Sequence, residues 1–300
     1  MNRGVRLPAF AKINLCLHVL GRRRDGYHEL RTIFQSISLH DTLEVWRSTR
    51  PGISLETNDP ALPDGEENLV WRAVAALQRA LRMRGGVRLR LTKRIPVARG
   101  LGGGSSDAAA ALLGLLRLTG KKIALEQLLE IAAGLGADVP FFLLGGRALG
   151  VGRGDEIYPL PEGKKDHVVV VSPHEAGVST RDAYRWVSSQ LTKSVPAHRI
   201  WGFCALCWGP QEEGASNDFE AAVFPRLPRL RKIKARLLQE GAAEAALAGS
   251  GSAVFGVFRN PAQARRAARA FPKDQVFVAE TLTRADCARA RRGIRSPENA

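Results

Sequence analysis

The run GLGGGSSDAA at 100–109 holds the residues whose types and spacing speak most directly of chemistry. Three consecutive glycines, Gly102, Gly103 and Gly104, let the backbone approach a ligand closely and turn several N–H groups the same way. Ser105 and Ser106 add hydroxyls where an alanine- and leucine-rich helix begins. A helix N-terminus offers unpaired N–H donors and a partial positive charge, so the stretch from Gly100 and Leu101 to Ser106 reads as a phosphate cradle. The competing reading, a flexible turn closed by a serine cap, accounts less well for so many glycines ahead of a long helix. No GxxxxGK[ST] occurs, and no GxGxxG joins a strand to a helix, which disfavours a P-loop ATPase and a Rossmann dehydrogenase.

Other chemistry-bearing residues are ambiguous by type alone. From Val5 to Val19 every odd position is apolar, the period-2 signature of a half-buried strand, and the even face carries Lys12, Asn14, Cys16 and His18. Lys12 and Asn14 point the same way, yet a solvated strand face explains both, and surface positions suit Cys16 and His18. Asp138 follows a helix-stopping Gly136 and precedes the apolar FFLLGG, which reads as a strand, so a turn or capping role fits it. Tyr27 and His28 in DGYHEL join an aromatic face to a ring that donates and accepts hydrogen bonds, or are a packed Tyr and a surface His. Asn68 has the position of an N-cap. GSGS at 249–252 reads as a hairpin turn. Cys204 and Cys207 form a lone CxxC with no second ligand pair, which argues against a zinc site.

The elements that must position these residues alternate along the chain. Strands are predicted over 5–19, 39–46, 53–56 and 87–92, with helices from Asn68, from the glycine loop to Gly120, and from Leu125 to Leu135. RALGVGRGDEIYPL reads as a glycine-studded hairpin, and PLPEGKKDH marks a domain boundary near Gly163. Beyond it come a strand at 168–171, helices at 180–187 and 228–240, strands flanking GSGS, a helix from Pro261, and the strand QVFVAETL. The order suits an α+β sandwich of two layers.

With 300 residues, 45% of them hydrophobic and 25% charged, the chain can bury one large core or two smaller ones, which excludes extensive disorder. Its apolar runs are too short to cross a bilayer. Lys12, Asn14 and His18 interrupt what would be a signal-peptide core, and four cysteines are too few for a disulfide scaffold, so a cytoplasmic location is expected. The net charge of +16 favours polyanionic ligands, nucleotide or nucleic acid. The basic residues are spread out except in an Arg-rich tail over 285–300, expected to be disordered, with nucleic-acid binding as the alternative function.

Four segments together resemble the GHMP family of small-molecule kinases: AKINLCLHVLGRRRDGYHEL, IPVARGLGGGSSDAAAAL, GADVPFFLLGGRALGVGRGDEI and LAGSGSAVFGVF, in the family's order. AKINL, DGYHEL and GADVPFF resemble the branch whose substrate is a cytidine diphosphate-linked methylerythritol. The resemblance implies a GHMP kinase fold, with a ribosomal protein S5 domain 2-like part at 1–163 and a ferredoxin-like part at 164–284. It implies ATP and Mg2+ as cofactors, no membrane, Asp138 as catalytic base and Lys12 as its partner. It places Gly100, Leu101, Gly102, Gly103, Gly104, Ser105 and Ser106 on the ATP phosphates, with Ser106 as a magnesium contact, direct or through water. Asn68 and Lys93 match positions near the adenine, and Asn14, Tyr27, His28 and Tyr184 match positions on the substrate, with Tyr184 closing over cytosine. GSGS would lie at the cleft. Arg99 departs from the small residue usual before GLGGGSS, and an exposed Arg at the loop's edge, or one touching phosphate, is expected there.

Overall fold

The computed structural model describes residues 4–174, 178–189, 215–292 and 294–296, so Cys204 and Cys207 lie outside the described residues. Its backbone begins with two long strands, β1 (Gly4–Arg22) and β2 (His28–Ser48), antiparallel from Val5 opposite Val45 to Arg22 opposite His28. Register shifts at Phe10/Ala11, Asn14/Cys16 and Val19/Gly21 break the simple alternation read from the sequence. The middle of β1 is buried on both faces, with Lys12, Asn14 and Cys16 each 3% exposed or less. The water-facing row expected there is therefore absent. Ala11 and Ile13 pack against Val168, Val170 and Phe255 of a second sheet, while Cys16 packs with Ile33.

The first sheet continues through β3 (Ile53–Thr57), β4 (Gly86–Thr92), β5 (Arg147–Gly152) and β6 (Glu156–Pro159). β2 spans enough length to pair with β4 through one end and β5 through the other. Helices α1 (Leu69–Ala80), α2 (Gly103–Thr119) and α3 (Leu125–Leu135) cover the sheet. Val70, Val74 and Leu77 of α1 meet Ala108, Leu112 and Leu115 of α2 in one core. Each Leu or Val side chain so enclosed contributes about 1.5–3 kcal/mol.

FFLLGG is not a strand but the short helix α4 (Val139–Leu144). A brief apolar run carries no period that separates buried strand from buried helix. Pro140 in the first turn favours the helical start, Phe141 and Phe142 are buried in the helical core, and Gly145 stops the helix at φ +74°.

The second sheet is antiparallel, in the order β11 (Gln275–Glu280), β7 (His167–Ser172), β10 (Val254–Phe258), β9 (Glu244–Leu247). With α5 (Thr180–Ser188), α6 (Phe219–Val223) and α7 (Pro228–Gln239) between β7 and β9, and α8 (Pro261–Ala268) before β11, this is a split βαβ arrangement. A short strand, β8 (Ser216–Asn217), crosses back to pair with β1.

The described residues of the Arg-rich end, 285–292 and 294–296, depart from the disorder expected of them. Thr283 and Asp286 form a capping box that starts α9 (Arg284–Arg291), Cys287 on that helix is fully buried, and β12 (Ile294–Ser296) pairs with the edge of β1. Charge composition hid a local cap and a single buried anchor. Among the described residues no helix is long and apolar enough to cross a membrane.

Candidate active site

A cavity of about 1030 Å³ is lined by β1, β2 and the glycine loop from the first half of the chain and by α5 and the turn between β9 and β10 from the second. Every residue predicted for the site lines it except Ser106. Ser106 is buried behind the loop, and its hydroxyl has no hydrogen-bond partner; Ser105 lines the cavity instead.

The glycine loop is packed rather than floppy. A Cβ on Gly100 would fall 1.8 Å from the carbonyl oxygen of Ala248, and one on Gly102, held at φ +71°, would fall 2.6 Å from the Phe142 ring. Glycine at these positions lets the loop touch the second half of the chain on one side and α4 on the other. Gly102 N-caps α2 with no side-chain hydrogen bond, so no side chain competes for the N–H groups of the first turn.

Lys12 crosses beneath this loop. Its backbone N–H donates to Leu101 O (3.0 Å), and its ammonium donates to Asn14 Oδ1 (2.6 Å) and stands 3.9 Å from Asp138 Oδ2. Asn14 in turn donates to Thr32 Oγ1 at 2.7 Å. Burial lowers the Lys12 pKa, against the raising influence of Asp138. Asp138 occupies the N-cap position of α4 but caps nothing with its side chain, and its side chain is 32% exposed. The capping role suggested by residue type is thus unfilled, and the carboxylate is accessible beside an ammonium.

Lys93 is enclosed by carboxylates, 2.5 Å from Asp41 Oδ2 and 2.7 Å from Asp107 Oδ2. Asp41 also accepts from the backbone N–H groups of Arg94 and Ile95, which fixes the approach to the loop. Burial lowers and the two carboxylates raise the Lys93 pKa, with a net rise, while burial raises that of Asp107. Asp107 Oδ1 is buried without a partner, and the residue lines the cavity. Asn68 caps α1 by accepting from Val70 N and donates to Pro63 O.

Also on the cavity wall, Tyr184 stacks on His28, with centroids 4.8 Å apart and planes at 28°, and meets Phe219 edge-on. Burial, aided by the charge of Asp138, raises the Tyr184 pKa. Tyr27 is exposed and lies under the Arg153 guanidinium at 5.0 Å. Arg22, Arg181 and Arg185 join Arg153 in the lining. Arg99 is neither exposed nor confined to the loop's edge: it is half-buried and donates to Ser252 Oγ at 2.5 Å, tying the loop to GSGS. Gly249 and Ser250 of GSGS line the cavity.

Sequence reasoning missed Asp41, Asp107 and Ser188. Asp107 was legible as the acid directly after the paired serines, and Ser188 as the residue one helical turn beyond Tyr184. Asp41 gave no signal, because only the fold brings it to Lys93.

The fold, with a glycine loop that opens a helix onto a cavity lined by both halves of the chain, defines a GHMP small-molecule kinase. Residues 68–146 match the GHMP kinases N terminal domain, and residues 200–276 match the GHMP kinases C terminal family. The chain belongs, within that class, to the 4-diphosphocytidyl-2-C-methyl-D-erythritol kinase family. It is 46% identical over 287 residues to the enzyme of that name from Solibacter usitatus, covering 94% of this chain and 90% of that one. It is 47% identical over 268 residues to that of Moorella thermoacetica, covering 87% and 93%. A crystal structure of 4-(cytidine 5'-diphospho)-2C-methyl-D-erythritol kinase superposes with a TM-score of 0.75 at 38% identity, over 92% of this chain and 98% of that one. Homoserine kinase from Cytophaga hutchinsonii, at 21% identity and a TM-score of 0.71 over 93% and 95%, shares the fold.

Proposed function

We propose that this kinase transfers the γ-phosphoryl group of ATP to the 2-hydroxyl of 4-diphosphocytidyl-2-C-methyl-D-erythritol, giving the 2-phosphate and ADP on the non-mevalonate route to isoprenoid precursors, in the cytoplasm. The observation that carries the proposal is the uncapped Asp138 carboxylate beside the Lys12 ammonium, in the same cavity as the glycine loop. Asp138 accepts the proton of the attacking hydroxyl, and Lys12 offsets charge that develops on the transferring group. Asn14 holds Lys12 and keeps a second amide proton for substrate. The loop from Gly100 to Ser105 receives the nucleotide phosphates, while Asn68 and Lys93, whose polar atoms are engaged by protein partners, support the nucleotide end. His28, Tyr27 and Tyr184 take the cytidine, and Arg22, Arg153, Arg181 and Arg185 suit its diphosphate.

Magnesium fits the donor set, because Asp107 Oδ1 is a buried, unpartnered carboxylate oxygen on a cavity-lining residue next to the loop. Asp107 would hold it together with the nucleotide phosphates, Ser106 lying behind. When bound, the ion supplies positive charge that neutralises the phosphates. The fit of the arginines to a diphosphate favours a small nucleotide-linked substrate over the nucleic acid that net charge alone allowed.

An ADP-release assay over a panel of alcohols tests the reading. Turnover is expected with the cytidine diphosphate-linked methylerythritol and not with homoserine or mevalonate. Turnover with either of the latter alone would overturn the substrate assignment and leave a kinase of another alcohol.

A further inference from the structure

Ser188 lies four residues after Tyr184 on α5, one turn further on, and lines the cavity. Its hydroxyl donates to the carbonyl oxygen of Tyr184 at 2.7 Å. A carbonyl only accepts, and a serine has one hydroxyl proton, so that proton is committed. The same Oγ stands 2.6 Å from His28 Nε2, and towards that nitrogen it can act only as acceptor. Nε2 must therefore carry the ring proton.

Burial and then the charge of Arg22 also lower the His28 pKa, which favours the neutral ring. A neutral imidazole protonated at Nε2 keeps a bare lone pair at Nδ1, which has no hydrogen-bond partner among the described residues. Stacking on Tyr184 fixes the ring plane, and so the direction of that lone pair. The ring at the cytidine end thus offers one oriented acceptor.

We propose that Ser188 is a positioning residue that fixes the tautomer of His28 and so makes the site prefer cytosine to uracil. The proposal rests on the substrate reading above. At the 4-position of a pyrimidine, cytosine presents an amino donor where uracil presents a carbonyl acceptor. An acceptor on the protein pairs with the first and faces the lone pairs of the second. The opposite tautomer would reverse the preference, and a ring free to exchange tautomers would lose it. The device is local: one committed hydroxyl proton on α5 decides what the strand-borne ring at the start of β2 can read.

The test combines nitrogen-15 NMR of the histidine rings, assigned by a His28→Gln variant, with competition binding of CMP and UMP. In the parent protein the His28 ring should be protonated at Nε2 without ligand, and CMP should bind roughly 5- to 150-fold more tightly than UMP. In Ser188→Ala the ring should show a mixture of tautomers, and the preference should fall to within about twofold of none. Affinity for a non-hydrolysable ATP analogue should be unchanged, since the hydrogen bonds of Ser188 run to His28 and Tyr184 and not to the glycine loop. Ser188→Thr should restore both tautomer and preference, because a helical threonine hydroxyl still bonds the carbonyl one turn back. A merely structural serine would change stability without changing the ratio of the two nucleotides. A parent ring protonated at Nδ1 overturns the proposal without any variant, as does a folded Ser188→Ala protein with the parent tautomer and preference. A parent protein that binds CMP and UMP equally while keeping the Nε2 proton overturns the cytosine preference and, with it, the cytidine reading of the substrate. The kinase assignment survives that result, because the ADP-release assay tests it separately.

Discussion

Lys12 Nζ stands 3.9 Å from the Asp138 carboxylate and is held there by a 2.6 Å hydrogen bond to Asn14 Oδ1. The two partners differ in setting: the side chain of Lys12 is 4% exposed and that of Asp138 32%. A buried ammonium next to an accessible carboxylate is strongly committed in position, while the carboxylate still reaches whatever enters the cavity. On the function proposed above, proton acceptance falls to the accessible carboxylate and charge stabilisation to the ammonium that the fold fixes.

Asp138→Asn keeps the size of the side chain and removes its capacity to accept a proton. Turnover in the ADP-release assay should fall by roughly 100-fold or more, with affinity for an ATP analogue retained. Near-normal turnover of the folded variant would remove Asp138 from the role of base.

Gly103→Val tests the loop. A Cβ there meets Ile95 Cγ2 at 3.1 Å and Lys93 Nζ at 3.3 Å, so a branched side chain pushes the loop off its support as well as crowding the phosphates. Nucleotide affinity measured by calorimetry should fall by at least about tenfold. Gly104→Ala is the contrasting control: its Cβ has only Leu69 within ordinary contact distance, at 3.6 Å, and the fold should tolerate it. Unchanged analogue binding by Gly103→Val would make the loop purely structural.

The glycine loop and the α2 helix behind it were legible because glycine and alanine state their backbone demands locally. Asn68 as an N-cap was equally local. The burial of Lys12 and Asn14 was not legible, since a period-2 row says which residues share a face and nothing about what covers it. FFLLGG misled for a related reason: six residues are too few to display a helical period, and Pro140 was the better clue. The Arg-rich end misled because average charge outweighed Thr283, Asp286 and Cys287, the three residues that order it.

The His18 and Asp218 pair predicts a pH dependence of stability. Asp218 Oδ1 lies 3.3 Å from His18 Nδ1, and its other oxygen accepts from Val19 N at 2.8 Å, joining β1 to the start of α6. Burial lowers the His18 pKa, but the hydrogen bonds its ring donates to Asp218 and Cys16, and their charge, outweigh it and raise the value to about 9. A folded-state pKa above the unfolded 6.5 means that the charged ring stabilises the fold fully below pH 6.5, and that this is lost as pH rises through about 9. The melting temperature should therefore decline over that window in the parent protein and less steeply in His18→Gln. Parallel declines would show that His18 does not carry the effect.

Lys93 gives the sharpest stability prediction, because its ammonium is the shared partner of two buried carboxylates, those of Asp41 and Asp107. Lys93→Ala leaves both acids enclosed with no counter-charge, and breaking a buried pair in this way costs about 3–5 kcal/mol. The loss should depend on pH, with a sign fixed by Asp107. Burial already raises its folded-state pKa above the unfolded value, so folding takes up protons and stability falls as pH rises from the unfolded carboxylate range towards the raised value. Without Lys93, whose charge acts to lower that pKa, the fall should be steeper. Urea unfolding at about pH 5 and about pH 8 should show the variant much weaker at the higher pH. Lys93→Ala combined with Asp107→Asn should recover a large part of the loss, since one uncompensated charge has been removed. If the single and double variants were equally destabilised at both pH values, the enclosed charges would not be the cause, and lost packing around the lysine stem would account for the effect.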